Sequence, residues 1–280
     1  MENKALTNKV KSLAKELGID LIGVASSERF KEAPASAQPE AILPSTHSVL
    51  SMAIRMNQTI QNIHLTHSTN DPFSRFGHSL LAYKIDYIAN EVANFLEDNG
   101  YEACPVPADS DLWSAFNQPL LSHRHAAVAA GLGYIGWSNN LITPEFGAGV
   151  KLATILTSAV LVSDPLLSGN NCPRCLACVN ICPVEAIHPT ESEAFILDGW
   201  VFEHSRYSKT KCLWSCLGLI QGLEGRQKNY ARPAKLTPLP EGDEIPPKLW
   251  KIISNNGNYS SAPVLCGFCL TVCHPEKLSR

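Results

Sequence analysis

Nine of the ten cysteines in this 280-residue chain fall between Cys172 and Cys273, a crowding that limits what the chain can fold into more than any other feature. The segment Cys172-Pro-Arg-Cys175-Leu-Ala-Cys178-Val-Asn-Ile-Cys182-Pro183 has the Cys-x2-Cys-x2-Cys-x3-Cys-Pro spacing of iron–sulfur ligation. Its two-residue gaps let a turning backbone wrap three thiolates around one face of a cubane. The three-residue step carries the fourth cysteine along a short helix, which in two-cluster proteins takes it to the neighbouring cluster. A second cluster is therefore expected, and Cys266-Gly-Phe-Cys269-Leu-Thr-Val-Cys273, followed by His274 where proline is usual, supplies most of its ligands. Crossing the ligands gives Cys172, Cys175, Cys178 and Cys273 to one 4Fe-4S cluster and Cys182, Cys266 and Cys269 to the other. The remaining ligand is Cys212 or Cys216. A zinc knot is a poor fit, because tetrahedral sites use four cysteines and rarely show the x3-Cys-Pro step. Two clusters at short spacing make an electron conduit, so the first half of the chain should hold a second cofactor or dock a partner.

Composition sets the background. With 26 acidic and 23 basic side chains, a formal charge of −3 and 45% hydrophobic residues, the chain reads as a globular protein long enough to build a core without disulfides. Its longest apolar stretch, Leu152 to Val162, is interrupted by Thr154, Thr157 and Ser158 and falls short of the ~18 residues of a membrane span. The amino terminus passes directly into a polar helical pattern without a secretory signal, which points to the cytoplasm, where thiols stay reduced.

The periodicities predict an α+β first half. Leu6, Val10, Leu13, Ala14 and Leu17 recur at helical spacing up to Gly18, and Ile19 to Val24 and Ser48 to Ile54 read as buried strands. A longer helix carries Leu81, Ile85, Ile88, Ala89, Val92, Phe95 and Leu96 on one face and stops at Asn99-Gly100. Tyr101 to Val106 is extended, Ala126 to Ala130 helical, and Val150 to Val162 a strand, straight or bent. We divide the chain into residues 1–165 for cofactor and substrate and 166–280 for the clusters. A proline-rich excursion at 231–250 carries Pro233, Pro238, Pro240, Pro246 and Pro247.

Gly131, Gly133 and Gly136 form a formal Gly-x-Gly-x-x-Gly, but they follow a helical stretch instead of a strand, which argues against a dinucleotide fold. They mark places where the backbone approaches something closely, either a flat cofactor or neighbouring protein.

The order of these motifs resembles the epoxyqueuosine reductases and, more distantly, the reductive dehalogenases. The resemblance runs through the Lys11 to Val24 helix and strand, Leu43-Pro-Ser-Thr-His-Ser-Val49, the Ala-Gly-Leu-Gly-Tyr-Ile-Gly136 block, Leu141-Ile-Thr-Pro-Glu-Phe-Gly147, Ile155 to Thr157 and both cysteine motifs. It implies a nitroreductase-like α+β domain that binds cobalamin base-off, followed by a ferredoxin-like domain whose two 4Fe-4S clusters reduce cobalt to Co(I). Gly131, Gly133, Gly136, Phe146 and Gly147 are candidate cofactor contacts, and His123 and His125, which flank Arg124 just before the glycine block, are candidates to serve a substrate, a cofactor amide or a cofactor phosphate. It also matches the family's extra cluster ligand to Cys212 in Lys211-Cys212-Leu-Trp-Ser, leaving Cys216 as a spare or core thiol and Cys104 as a small buried residue. The family's catalytic aspartate lies in a Val-Asp-Ser/Thr segment. Here Pro107-Ala-Asp109-Ser-Asp111 has that chemistry further upstream, with Asn117 nearer the family spacing. Asp109 is carried as candidate proton donor, its plain alternative being a turn cap, and Tyr83 as a second, its alternative being a partly buried helix tyrosine.

The resemblance further implies a reduced ferredoxin or flavodoxin as electron donor and a small molecule or modified nucleoside as substrate. The family's helical-repeat domain, which helps to hold tRNA, has no counterpart in the seven residues after Cys273, and the net charge of −3 and the lack of a basic run weigh further against tRNA, which leaves it a doubtful substrate. No membrane partner is expected. The competing reading is an electron-transfer or activating protein that binds no corrinoid and reduces a partner.

Overall fold

The structure is a computed structural model that describes residues 2–34, 37–66, 72–109, 121–169, 172–216 and 266–274. The proline-rich excursion, Asp111 and Asn117 lie outside the described residues.

Helix α1 (Lys4–Glu16) starts where the Asn3 side chain accepts the Leu6 N–H at 3.0 Å, and it buries Leu6, Val10 and Ala14 on one face. Strand β1 (Leu21–Ser26) follows, then β2 (Ser48–Arg55), α2 (Gln58–Thr66), a π-helical turn (Phe73–Ser79) and the long α3 (Leu80–Asp98). Next come β3 (Ala103–Val106), α4 (His123–Ala129), a short hairpin of β4 (Tyr134–Ile135) and β5 (Leu141–Ile142), and β6 (Val150–Thr157). Strands β1, β2, β6 and β3 form one antiparallel sheet in that order, with Val24 opposite Leu50 and Leu50 opposite Ile155.

The period of two along β2 and β6 divides the core between the sheet's two faces. Leu50, Met52, Ile54, Ala153 and Ile155 pack with α1 and α3, while Val49, Ala53, Val150 and Leu156 pack with the alanine-rich α4. Helix α4 approaches closely because Gly23 has no side chain: a Cβ there would lie 2.0 Å from the Ala130 carbonyl oxygen. The α+β expectation and its seven elements hold, with α4 beginning three residues earlier than the Ala126 start and β6 ending at Thr157. Cys104, expected in the core, is half-buried on the edge strand β3.

The cysteine-bearing half contributes α5 (Ala177–Asn180), a hairpin of β7 (Ile187–Leu197) and β8 (Trp200–Tyr207), α6 (Lys209–Cys216) and α7 (Phe268–Thr271). The second cysteine motif is clasped by the first half. His64 of α2 stacks between Phe73 and Phe268, with ring centroids 4.2 and 4.5 Å away, and its Nε2 lies 2.6 Å from the Cys266 carbonyl oxygen. A Cβ on Gly267 would lie 2.1 Å from the Phe73 ring. On the other side, the Ala148 N–H donates to the Cys273 carbonyl at 3.1 Å. No described helix is long and apolar enough to cross a membrane.

Candidate iron–sulfur and catalytic site

The cysteines ring two separate spaces. Cys172, Cys175, Cys178 and Cys273 line a recess with Trp137 and Arg174, and Cys175 is exposed. The chain bends around this recess through left-handed residues, Arg174 at φ 49 and Leu176 at φ 56. The Arg174 guanidinium lies 4.5 Å from the Trp137 ring, and the Trp137 backbone N–H donates to Cys172 Sγ at 3.3 Å. Cys182, Cys212, Cys216, Cys266 and Cys269 line a cavity of about 290 Å³. The Ala186 N–H donates to Cys182 Sγ at 3.2 Å, and Asn140 Nδ2 donates to Cys269 Sγ at 3.4 Å.

The leading electrostatic influences on these thiols follow the same division, with weaker ones crossing between Cys178 and Cys269 and between Cys269 and Cys273. Burial and then the neighbouring Cys172 and Cys178 push the Cys273 thiol up to about 12, and burial and then Cys172 push Cys178 up to about 11. In the cavity, burial pushes Cys269 up to about 12 and raises Cys266. The Cys212 thiol is raised by donating its hydrogen bond to Cys216, which is lowered by accepting it, so α6 presents both candidates for the eighth ligand side by side. Sulfurs that resist ionisation through burial and mutual repulsion become thiolates together only beside a compensating cation. Among the described residues no three His, Cys, Asp or Glu side chains converge on one ion-sized point. The donor set, four cysteines around one space and five around the other, fits iron–sulfur clusters.

The same cavity is also lined by Val106, Pro107, Asp109, Leu121, His123 and Arg124. Asp109 Oδ1 accepts from Lys151 Nζ at 2.6 Å, and Lys151 Nζ lies 3.2 Å from His78 Nε2. Burial works to raise the Asp109 carboxyl, but the Lys151 ammonium and then His78 outweigh it and hold the group below its usual range. Asp109, carried from the sequence as a candidate proton donor, is thus held as a carboxylate at neutral pH beside Lys151. Burial and then Lys151 bring His78 down to about 4. Burial also raises Asp86, which accepts the Ala108 N–H at 2.8 Å.

His123 and His125 diverge. Both nitrogens of His123 are engaged, Nδ1 with Thr154 Oγ1 and Nε2 with the Pro107 carbonyl, each at 2.8 Å, and burial brings the ring down to about 4. A neutral ring that donates through Nε2 and accepts at Nδ1 satisfies both contacts. His125 points away from the cavity, with its ring 4.0 Å from Phe195, and burial and then Arg124 bring it to about 4. Tyr83 is 57% exposed on the outer side of α3 and does not line the cavity.

The glycines meet protein. A Cβ on Gly131 would lie 2.2 Å from the Pro165 oxygen, one on Gly133 2.3 Å from the Ile142 oxygen, and one on Gly136 2.2 Å from the Ile142 side chain. A Cβ on Gly147, at φ +59, would lie 2.3 Å from the Cys273 carbonyl oxygen, and Phe146 lies under Arg55. Of the two sources of close approach, neighbouring protein accounts for all four. Lys151, His78 and Asn140 went unread in the sequence. A lysine within the apolar run of β6 is a signal for the first; His78 and Asn140 carry none.

Comparison with known proteins follows the same lines. No protein-family model matches the chain. An epoxyqueuosine reductase from Synechococcus is 31% identical over 171 residues, 59% of this chain and 47% of that protein. A crystal structure of epoxyqueuosine reductase with an epoxyqueuosine-modified tyrosine tRNA stem loop matches 98% of this chain and 66% of that one, at 20% identity and a TM-score of 0.56. A catabolic reductive dehalogenase matches 94% of this chain and 35% of its own, at 19% identity and a TM-score of 0.58. The structural likenesses speak for the fold. The chain spans about half the length of the curated relatives it matches.

Proposed function

Because this chain is a homologue of the epoxyqueuosine reductases, we propose that it is an iron–sulfur reductase that draws electrons through two 4Fe-4S clusters to a corrinoid, for reductive chemistry on a small molecule or modified nucleoside. The observation that carries this reading is the shared cavity: Cys182, Cys212, Cys266 and Cys269 line the same space as Asp109, His123 and Arg124. Electrons delivered by the cysteine side arrive beside a wall of titratable groups. We assign Cys172, Cys175, Cys178 and Cys273 to the outer cluster, where exposed Cys175 lets a reduced ferredoxin or flavodoxin approach, and Cys182, Cys212, Cys266 and Cys269 to the inner one. Residues 1–165 form the nitroreductase-like part and 166–280 the ferredoxin-like part.

A bound corrinoid supplies a low-potential metal centre for the reductive step. The residues available to hold it are Val106, Pro107 and Leu121, which offer apolar surface, with Arg124, Ser138 and Asn140 as polar groups for its amide fringe. His123, engaged at both nitrogens, and His125, turned toward Phe195, would not themselves bind the metal of such a group. Asp109, held ionised by Lys151, takes up or orients a proton at the cavity wall. The relative that carries a modified tRNA stem loop returns tRNA to the substrates to be tested, against the expectation from net charge.

A corrinoid-free electron-transfer role is favoured by one observation, that the glycine block is occupied by protein packing. Anaerobic reconstitution with iron, sulfide and cobalamin separates the two. Both readings expect about eight iron atoms per chain, on the two-cluster ligand count. Stoichiometric cobalt is expected for the reductase, and a cluster-replete chain that retains no cobalt would sink it.

A further inference from the structure

One turn of the first half touches a cysteine from each group. Between β4 and β5, the Trp137 backbone N–H donates to Cys172 Sγ at 3.3 Å, and three residues on Asn140 Nδ2 donates to Cys269 Sγ at 3.4 Å. The turn is tightly fixed. The Gly136 N–H donates to the Asn140 carbonyl and the Asn139 N–H to the Gly136 carbonyl, both at 2.9 Å, while Arg124 donates to the Asn139 carbonyl. Asn140 Nδ2 also donates to Ser138 Oγ at 3.1 Å, so its two N–H groups have separate acceptors and the amide cannot swing away without losing both.

We propose that Asn140 is a positioning residue that raises the reduction potential of the inner cluster through its N–H···S bond to Cys269, an inference that rests on reading Cys269 as a cluster ligand. One-electron reduction adds a negative charge shared among the iron, sulfide and thiolate atoms. An N–H dipole aimed at a thiolate favours the more negative state, and more strongly in a buried site. The Trp137 N–H makes the corresponding bond in the outer group, but from the backbone, where side-chain replacement leaves it in place. The two clusters therefore serve as each other's reference, and the turn that reaches both sets the step between them.

The test is a dithionite potentiometric titration, read by electron paramagnetic resonance, of the full chain reconstituted with iron and sulfide, as wild type, Asn140→Leu and Asn140→Asp. The midpoint of one cluster is expected to fall in both variants, further in Asn140→Asp where a carboxylate faces the sulfur, with the other midpoint and the iron content unchanged. Unmoved midpoints, or two that shift together, overturn the proposal. If Asn140→Leu loses iron, the near-isosteric Asn140→Asp decides, and loss of one cluster in both variants overturns a tuning role because Asn140 would then be needed for assembly. A wild-type chain that takes up no iron overturns the cluster reading itself, and iron content distinguishes that failure from the others.

Discussion

Replacing Lys151 with methionine keeps the length of the side chain and removes its charge from beneath Asp109. Lys151 is only 8% exposed, and its 2.6 Å bond to Asp109 is the strongest polar contact either group makes. Breaking a fully buried ion pair costs about 3–5 kcal/mol because the surviving charge is left uncompensated. The Asp109 side chain is 34% exposed, so water recovers part of that loss and about 2–3 kcal/mol is the working figure. For a chain of this length that corresponds to a fall of about 4–10 °C in melting temperature. The pH dependence has a definite sign. In the wild type the depressed Asp109 pKa makes the pair's contribution complete above the unfolded carboxyl value of about 4 and lost as pH falls through the lower native value. Without Lys151 burial acts to lift the Asp109 carboxyl, and His78, no longer repelled by the ammonium, gains a proton more readily. The deficit of Lys151→Met is therefore largest in mildly alkaline buffer and shrinks as pH falls. The assay is anaerobic thermal unfolding of iron-loaded Lys151→Met, Asp109→Asn and the double variant, each followed by circular dichroism. Coupling well above ~0.5 kcal/mol is expected, and additivity within that margin refutes the argument.

Two further substitutions probe the cysteine assignment and its support. Cys212→Ser is expected to lose one cluster's signal and about half of the iron, with Cys216→Ser retaining both clusters; the opposite pattern in iron content and spectra would transfer the eighth ligand to Cys216. Gly147→Ala places a Cβ 2.3 Å from the Cys273 oxygen at a φ of +59, and is expected to cost about 1–3 kcal/mol and to speed iron release to a chelator. Release at the wild-type rate would show that this contact does not hold the second motif.

What the sequence made legible was whatever depends on short separations. Helices α1 and α3 and strands β1, β2 and β6 were readable because each buries an apolar face whose period is visible within a dozen residues. The cysteine grouping was readable because backbone reach ties spacing to ligand geometry. The β7–β8 hairpin escaped because most of its residues are exposed and it buries few side chains, among them Phe195, Leu197 and Phe202, so no alternation stands out, although Asp198-Gly199, at φ 52 and 73, marked its turn. The site's polar partners escaped for another reason. Asp109 meets Lys151 across 42 residues and Asn140 meets Cys269 across 129, separations that only the sheet and the clasp on α2 bring together. The glycine block showed that something comes close, and only the fold shows that it is the Pro165 backbone and the backbone and side chain of Ile142.

The clasp on the second motif has a consequence for the molecule's lifetime. His64, Phe73 and Phe268 are stacked into one layer whose lower edge is the backbone of Cys266 and Gly267. Whatever immobilises those cysteines also immobilises α2 and the π-helical turn, so metal affinity and the cohesion of the amino-terminal half belong to one linked equilibrium. On the iron–sulfur reading proposed above, loss of iron is therefore expected to loosen a helix far along the sequence from the thiols, which limited proteolysis of the iron-loaded and iron-stripped chain would register.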